Sequence, residues 1–363
     1  MLKVELLAPA GDLEKLKTAF LYGADACYIG GKNFSLRSKA NNFSLKDINE
    51  AIYIKKKINK KIYLTINVFV DNNEIKNLVE YLNNISQLDI DGLIVSDPGV
   101  IYLIKKYNIK IPLHISTQAN TQNWCSVKFW EKCGAKRVVL GREVKFDNIL
   151  DIKNKTRIEL EIFIHGSMCM AYSGRCMLSM YLSEKSANKG DCKNPCRWKY
   201  FLMESKRIGE YLPIEEDDKG TYILNSKDLC ALPHIKKFID IGINNFKIEG
   251  RMKSIHYVAS VVNIYRKAID TILFDIKNKK NNFYNILPEL MKELINIGER
   301  EYNTDFYFDK KNLNMQQYKH LKIKKNIKFV AVVIDEYKDG FIKIEQRNKF
   351  TKDDCLEVLS PYE

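Results

Sequence analysis

Short runs of apolar and β-branched residues recur along the first 250 positions of the chain, and a helical pattern separates most of them. This alternation is typical of parallel βα units. Eight strand–helix repeats over about 250 residues match the length of a (β/α)₈ barrel, so we predict an α/β fold of the TIM-like barrel type. The predicted strands are 4–8, 26–30, 62–68, 92–96, 112–117, 137–141, 159–165 and 245–249.

Helical patterns fill the gaps between these strands. The second predicted helix opens at Ser44, a plausible N-cap, with Asp47 three residues further on, as in a capping box. Another long amphipathic pattern follows the eighth strand, over 254–277, and is expected to close the barrel. The helices predicted between strands include 12–22, 44–58, 73–85 and 123–133.

The remaining segments predict the domain organisation. The barrel spans 1–310, and residues 166–242 form a cysteine-rich insertion after its seventh strand. A basic linker at 311–327 leads to a small all-β module at 328–363, with strand-like runs at 328–335, 341–345 and 355–359. Lysines of the linker could contact phosphates, although such a run is usually a solvated surface.

Polar residues lie at or just past the carboxyl ends of six predicted strands. That rim carries the active site of a (β/α)₈ barrel. Any one of these residues could simply mark where solvent begins, but their recurrence on six strands favours a site. The residues are Asn67, Asp97, Gln118, Asn120, Arg142, Glu143, His165, Glu249 and Arg251.

The insertion holds four of the nine cysteines, separated by six, fifteen and three residues. Four thiolates in an irregular loop can hold zinc or an iron–sulfur cluster. Structural zinc sites usually contain paired C-x₂-C turns, and their absence here favours iron–sulfur. Chance clustering is the weaker alternative, and the other five cysteines are interpreted as buried small hydrophobic side chains: Cys27, Cys125, Cys133, Cys230 and Cys355. The four are Cys169, Cys176, Cys192 and Cys196.

A cysteine protease is a second interpretation of this segment, with Cys169 as the nucleophile and His165 as its base. Such pairs are normally distant in sequence and need an orienting Asn or Asp, so their nearness is weak support.

Composition limits the class of protein. A hydrophobic content of 45% supports a large core and excludes a disordered or fibrous chain. The N-terminus does not resemble a signal peptide, and no apolar run is long enough to span a bilayer, so we expect a cytoplasmic protein without membrane contact. A net charge of +14 would attract a polyanion such as nucleic acid, although the abundance of Lys, Asn and Ile is also typical of an AT-rich genome.

The run Glu-x-Phe-x-x-Gly-Ser-Met-Cys-x-x-x-x-Gly-Arg-Cys-x-x-Ser at 161–179 resembles the signature of the collagenase-like peptidase family of unassigned catalytic type. Further matches at 6–11, 22–25, 116–120, 225–228 and 247–251 extend the resemblance over nearly the whole chain. Members of this family include iron–sulfur proteins that hydroxylate RNA or a ubiquinone precursor. The resemblance implies that the four cysteines of the insertion bind a 4Fe–4S cluster.

A single barrel with a small β module, together with the motifs at 225–228 and 346–350, resembles the branch that makes 5-hydroxyuridine in tRNA with prephenate. The branch implies tRNA as a partner, the wobble uridine as the target, prephenate or oxygen as co-substrate, and a related subunit of the same family as a further partner. Resembling proteins continue for several strands past position 363, so either the module is shortened or the chain is a fragment.

The resemblance also suggests roles for single residues. Prephenate carries two carboxylates, which guanidinium groups bind bidentately, and rim salt bridges are the alternative use of these arginines. His165 and Glu249, both at strand ends, are candidates for proton transfer, and a structural role is the alternative of equal weight. A peptidase, a hydroxylation protein for rRNA or a ubiquinone precursor, and a non-catalytic RNA-binding protein remain open. The arginine candidates are Arg37, Arg142, Arg175 and Arg251.

Overall fold

Eight parallel strands form a closed barrel at the centre of the protein. The computed structural model describes residues 3–37, 40–169, 176–197, 215–217, 220–222, 227–298, 300–304, 307–308, 327–335 and 340–361. The barrel order is β11-β1-β2-β3-β4-β5-β6-β7, and β11 pairs with β7 to close it. These are the eight predicted strands, so the (β/α)₈ prediction is confirmed. The strands are β1 (Glu5–Pro9), β2 (Ala26–Gly30), β3 (Lys61–Ile66), β4 (Gly92–Val95), β5 (Leu113–Ile115), β6 (Ala135–Val139), β7 (Glu159–Gly166), β8 (Glu215–Asp217), β9 (Gly220–Tyr222), β10 (Asp228–Cys230), β11 (Asn245–Ile248), β12 (Tyr302–Asn303), β13 (Ala331–Val333) and β14 (Ile344–Gln346).

Helices surround the barrel at the predicted places. The capping box at Ser44 is present: its hydroxyl accepts from the Asp47 amide, and the Asp47 carboxylate accepts from the Ser44 amide at 2.8 Å. In the described part of the chain, no helix is both long enough and apolar enough to cross a membrane. The helices are α1 (Leu13–Leu21), α2 (Leu45–Lys57), α3 (Ile75–Ser86), α4 (Pro98–Lys106), α5 (Trp124–Lys132), α6 (Phe146–Lys155), α7 (Leu178–Ser183), α8 (Ile235–Asp240), α9 (Ile255–Asn278) and α10 (Asn282–Ile297).

Apolar side chains fill the layer between strands and helices, but the inside of the barrel holds buried charges. Arg137 Nη1 lies 2.6 Å from Glu5 Oε1 and 3.0 Å from Glu161 Oε2, and Lys247 Nζ lies 3.1 Å from Glu161 Oε1. Burial raises the pKa of Glu5, but the attraction and hydrogen bonds of Arg137 and Lys61 outweigh it and leave that pKa at about 2. Each of these buried charges therefore has an oppositely charged partner inside the barrel. We call Glu5, Arg137, Glu161 and Lys247 the barrel ion network.

The insertion returns to the barrel through β10, which runs antiparallel to the end of β7. Tyr302 in β12 then pairs in parallel with Asp228 in β10. The helix predicted over 254–277 is α9, whose N-cap Ser254 accepts from the Tyr257 amide. β10 thus lies beside the end of β7, where the cysteine segment begins.

The C-terminal region contains an antiparallel pair, β13 with β14. The strand predicted at 355–359 is wrong, because these residues are irregular. The end of that segment instead contacts the barrel helices: Tyr22 donates its hydroxyl hydrogen to Leu359 O at 2.7 Å, and Asn263 Nδ2 donates to Ser360 O at 3.4 Å. Residues 311–326 of the predicted linker lie outside the described residues, and the domain boundaries stay predictions.

Candidate active site

A cavity of about 400 Å³ opens at the carboxyl end of the barrel, between the strand ends and the cysteine segment. All four cysteines of the insertion line it, so we call it the cysteine cavity. Buried barrel residues form its base, including Tyr28, Ile94 and Phe163. This is the end of the barrel at which the polar rim was expected. Its charged lining residues are Arg37, Arg142, Lys247, Glu249 and Arg251.

The four cysteines are thiols rather than disulfides. Cys169 follows β7, Cys176 precedes α7, and Cys192 and Cys196 come after it. Among the residues that the structure describes, no three His, Cys, Asp or Glu side chains are gathered as ligands of a single metal ion. The four thiols line one cavity, whose volume is about 400 Å³.

Other cysteines lie in different surroundings. Cys27 and Cys230 are fully buried in the core, where burial raises the pKa of both thiols, that of Cys230 to about 11. Cys125 and Cys355 are exposed, so the interpretation of these two as buried side chains is wrong. None of these four lines the cysteine cavity.

Local contacts hold the cysteine segment against the barrel. The Ser179 hydroxyl, on the buried side of α7, accepts from the Lys193 amide at 3.1 Å, and the Asn194 amide donates to Cys192 Sγ at 3.3 Å. Gly190 has a φ of +92°, and a Cβ there would lie 3.1 Å from Leu36 Cα. A glycine is needed because the backbone is left-handed and the two loops approach closely.

Glu249 joins two of the predicted arginines. Its carboxylate lies 3.2 Å from Arg37 Nη2 and 3.5 Å from Arg142 Nη2, and the Arg142 guanidinium lies 4.2 Å from the centroid of the Phe163 ring. Burial raises the pKa of Glu249, but Arg37 and Arg142 outweigh burial and lower that pKa overall. Glu249 is thus an ionised carboxylate that orients two guanidinium groups, and its part in proton transfer stays a prediction.

Arg251 is 3% exposed and is bound mainly to the protein itself. Its Nη1 donates to Ser35 Oγ at 2.8 Å and to Thr65 Oγ1 at 3.0 Å, and its Nη2 donates to Leu36 O. Burial lowers the pKa of Arg251 to about 10. The residue therefore fixes the 35–37 loop beside the cavity. Arg175 lies outside the described residues.

His165 is not among the residues that line the cavity. Its ring is 1% exposed and lies 5.1 to 5.9 Å from the ring centroids of Tyr302, Tyr265 and Tyr257. Burial, assisted by Lys253, lowers the pKa of His165 to about 3, so the imidazole is neutral at physiological pH. The enclosure by tyrosines agrees with the structural alternative for His165, and a part in proton transfer stays a prediction.

Lys247 is a cavity residue that the sequence pattern did not single out. It is 4% exposed, its Nζ is held by Glu161, and it lies 4.5 Å from the centroid of the Tyr28 ring. Burial lowers its pKa. The signal in the sequence was a charged residue within the apolar run of each of two strands, Lys247 in β11 and Glu161 in β7. Side chains of a barrel strand point alternately to the barrel interior and to the surrounding helices, so such a residue can lie inside the barrel.

The buried imidazole predicts a pH effect on stability. The folded protein takes up the His165 proton only near pH 3, whereas the unfolded chain takes it up near pH 6.5, so acid favours unfolding within that window. Between about pH 6 and pH 4, the free energy of unfolding should fall less steeply in His165→Asn than in the wild type. The difference between the two slopes should be up to about 1.4 kcal/mol per pH unit. Urea unfolding at several pH values measures this slope. An unchanged slope would contradict a neutral buried imidazole.

Together, the parallel barrel and the carboxyl-end cavity define a (β/α)₈-barrel protein with a thiol-lined site. Residues 11–317 match the profile of peptidase family U32, and the chain belongs to that family.

Curated relatives are similar along most of the chain. It is 40% identical to tRNA hydroxylation protein P1 of Bacillus subtilis, over 99% of this chain and 84% of that protein. It is 35% identical to tRNA hydroxylation protein P of Escherichia coli, over 99% of this chain and 87% of that protein. It is also 36% identical to a 23S rRNA 5-hydroxycytidine synthase of Escherichia coli, over 75% of this chain and 40% of that protein.

Proposed function

We propose that this protein is an iron–sulfur tRNA hydroxylase that converts the wobble uridine to 5-hydroxyuridine, with prephenate or oxygen as co-substrate. One observation carries the proposal: four cysteine thiols and a surplus of cationic side chains line the same carboxyl-end cavity. The names of relatives that match 99% of the chain support tRNA as the substrate and hydroxylation as the reaction.

The donor set fits a 4Fe–4S cluster, which Cys169, Cys176, Cys192 and Cys196 would hold. Such a cluster with four thiolates is anionic, and cations lie beside it. Arg37 Nη2 lies 3.2 Å from the Glu249 carboxylate, and Arg37 lines the same cavity as the four cysteines. When bound, the cluster supplies one-electron redox chemistry at the cavity.

Charge in the cavity favours an anionic small molecule. Outside the barrel ion network, in which Glu161 already pairs with Lys247, the described lining has three cationic side chains, Arg37, Arg142 and Arg251, and one carboxylate, Glu249. Buried cations without matching anions are costly, so an anion that enters the cavity is stabilised. The two carboxylates of prephenate meet this requirement.

Among the arginines, Arg37 and Arg142 are the proposed carboxylate ligands. The Arg37 side chain is 35% exposed and Arg142 is held against Phe163, so each keeps donors beyond its contact with Glu249. Arg251 supports the 35–37 loop instead. Glu249 positions both guanidinium groups, and apolar side chains such as Ile94 and Met168 exclude water from the base.

A uridine must leave its stack to reach this cavity, and that step costs least in a single-stranded loop such as an anticodon loop. A peptidase has less support, because Cys169 lines the cavity while His165, its proposed base, does not.

A strain lacking all related genes provides the test. Supplying this chain should restore 5-hydroxyuridine in tRNA, as measured by nucleoside mass spectrometry, and the Arg142→Met variant should restore little at limiting prephenate. Recovery of a hydroxylated rRNA nucleoside, or of peptidase activity alone, would refute the assignment to tRNA. A catalytically silent protein that still binds tRNA would show a binding protein instead.

A further inference from the structure

Helix α7 presents a ridge of large exposed side chains beside the cysteine cavity. Met177, Met180 and Tyr181 are 66%, 47% and 84% exposed. Positions three and four apart share one face of a helix, so the three side chains lie together. Clustered exposed apolar groups of this kind mark interaction surfaces more often than scattered ones do. We call these three residues the α7 ridge.

The α7 ridge is continuous with the cavity and firmly held. Met177 and its neighbour Leu178 line the cavity, so the ridge begins at the cavity opening. On the other side of α7, Ser179 is fully buried, and Ser183 Oγ donates to Ser179 O at 2.6 Å. Because Ser179 also binds the backbone next to Cys192, the ridge has a fixed position relative to the thiols.

Charge indicates the kind of partner. Lys189 is paired with Asp71 and Glu74, and Lys193 with Asp191. Lys185 is exposed and has no ion pair among the described residues. The adjoining cavity carries a surplus of positive charge, and the chain as a whole has a net charge of +14. An aromatic ring with thioethers, next to a cavity with a surplus of cations, suits unstacked bases on a phosphate backbone.

We propose that the α7 ridge is a stacking platform for single-stranded RNA. Tyr181 stacks on a base next to the nucleotide that enters the cavity, and Lys185 faces the phosphate backbone. This inference rests on the proposed function and adds the element that presents the RNA loop to the site. A partner protein is the competing occupant, but the surplus of cations in the adjoining cavity and the net charge of +14 favour a polyanion.

The test uses the whole protein with its cluster and a stem-loop RNA carrying 2-aminopurine in the loop. Stacking on an aromatic ring contributes about 1 to 3 kcal/mol per base, so Tyr181→Ala should weaken loop binding by about 5- to 150-fold and lose the fluorescence quenching. Tyr181→Phe should retain both. The matched control is Tyr102→Ala on α4, since Tyr102 is 63% exposed and does not line the cavity.

Kinetics separate stacking from a structural role. In Tyr181→Ala, the KM for RNA should rise while kcat at saturation and the visible absorbance of the cluster stay unchanged. Equal binding by wild type and Tyr181→Ala, or equal weakening in Tyr181→Phe, would overturn the platform. If Tyr181→Ala binds RNA as tightly as the wild type but no longer binds another protein, the platform is likewise overturned and the ridge is assigned to a protein partner.

The platform and the proposed function can fail separately. If the wild type forms 5-hydroxyuridine and Tyr181→Ala binds and reacts equally well, the platform is refuted and the function stands. If Tyr181→Ala loses loop binding but the wild type forms no hydroxylated nucleoside, the platform is supported and the proposed reaction is refuted.

Discussion

Replacing Cys192 with Ser should remove the iron–sulfur cluster and abolish tRNA hydroxylation, while the fold is retained. Cys192 is a partly exposed thiol on the wall of the cysteine cavity, outside the barrel core, so the substitution costs little packing. A serine hydroxyl is a much poorer iron ligand than a thiolate. Anaerobically purified wild type should be brown with roughly four irons per chain, and the variant should be colourless. Iron analysis and nucleoside mass spectrometry measure the two losses.

Cys125 and Cys355 provide the controls, because both are exposed and neither lines the cavity. Cys125→Ser and Cys355→Ser should keep the colour, the iron and the activity. Stoichiometric zinc in colourless wild-type protein after anaerobic purification would refute the cluster. A Cys192→Ser variant with full iron content would show that Cys192 is not a ligand.

Replacing Arg137 with Met should destabilise the protein by about 3 to 5 kcal/mol, because removing one partner of a buried ion pair leaves uncompensated charge. Arg137 is 3% exposed and binds both Glu5 and Glu161. Urea unfolding should show a lower midpoint with an unchanged slope on denaturant.

The pH dependence provides a second measurement. Since the pKa of Glu5 is lowered to about 2, its ionised form adds stability above about pH 4.5, and this contribution is lost as the pH falls towards 2. In Arg137→Met the loss should be smaller, because the folded-state pKa rises. Lys155→Met is the matched control: its ion pair with Asp151 is about half exposed and should contribute at most about 1 kcal/mol. Equal destabilisation by both substitutions would show that the network adds nothing specific.

Elements governed by local pattern could be predicted from the sequence. All eight barrel strands, the helix over 254–277 and the Ser44 capping box follow from apolar periodicity and from hydrogen bonds between near neighbours. The sequence also predicts that the polar rim residues lie together, because the carboxyl ends of parallel strands meet at one end of a barrel. The four cysteines of the insertion meet there for the same reason, because the segment that holds them leaves the end of β7.

Features that depend on distant partners could not be predicted in this way. His165 and Glu249 both lie at strand ends, yet tyrosines of α9 enclose the first and two arginines hold the second. The run 355–359 has the alternation of a strand, but its end contacts Tyr22 and Asn263 instead of forming one. Contacts between residues that are far apart in the sequence do not affect the local spacing of apolar residues, so this spacing cannot predict them.

The closed base of the cysteine cavity has a consequence for the order of binding. Lys247, Tyr28 and Ile94 are each at most 5% exposed, and the barrel ion network fills the interior next to them. A small anion that binds the proposed ligands Arg37 and Arg142 would therefore enter from the loop side, where we propose that the α7 ridge holds RNA. If the RNA covers this shared entrance, we expect the small molecule to bind before the RNA and to leave after it.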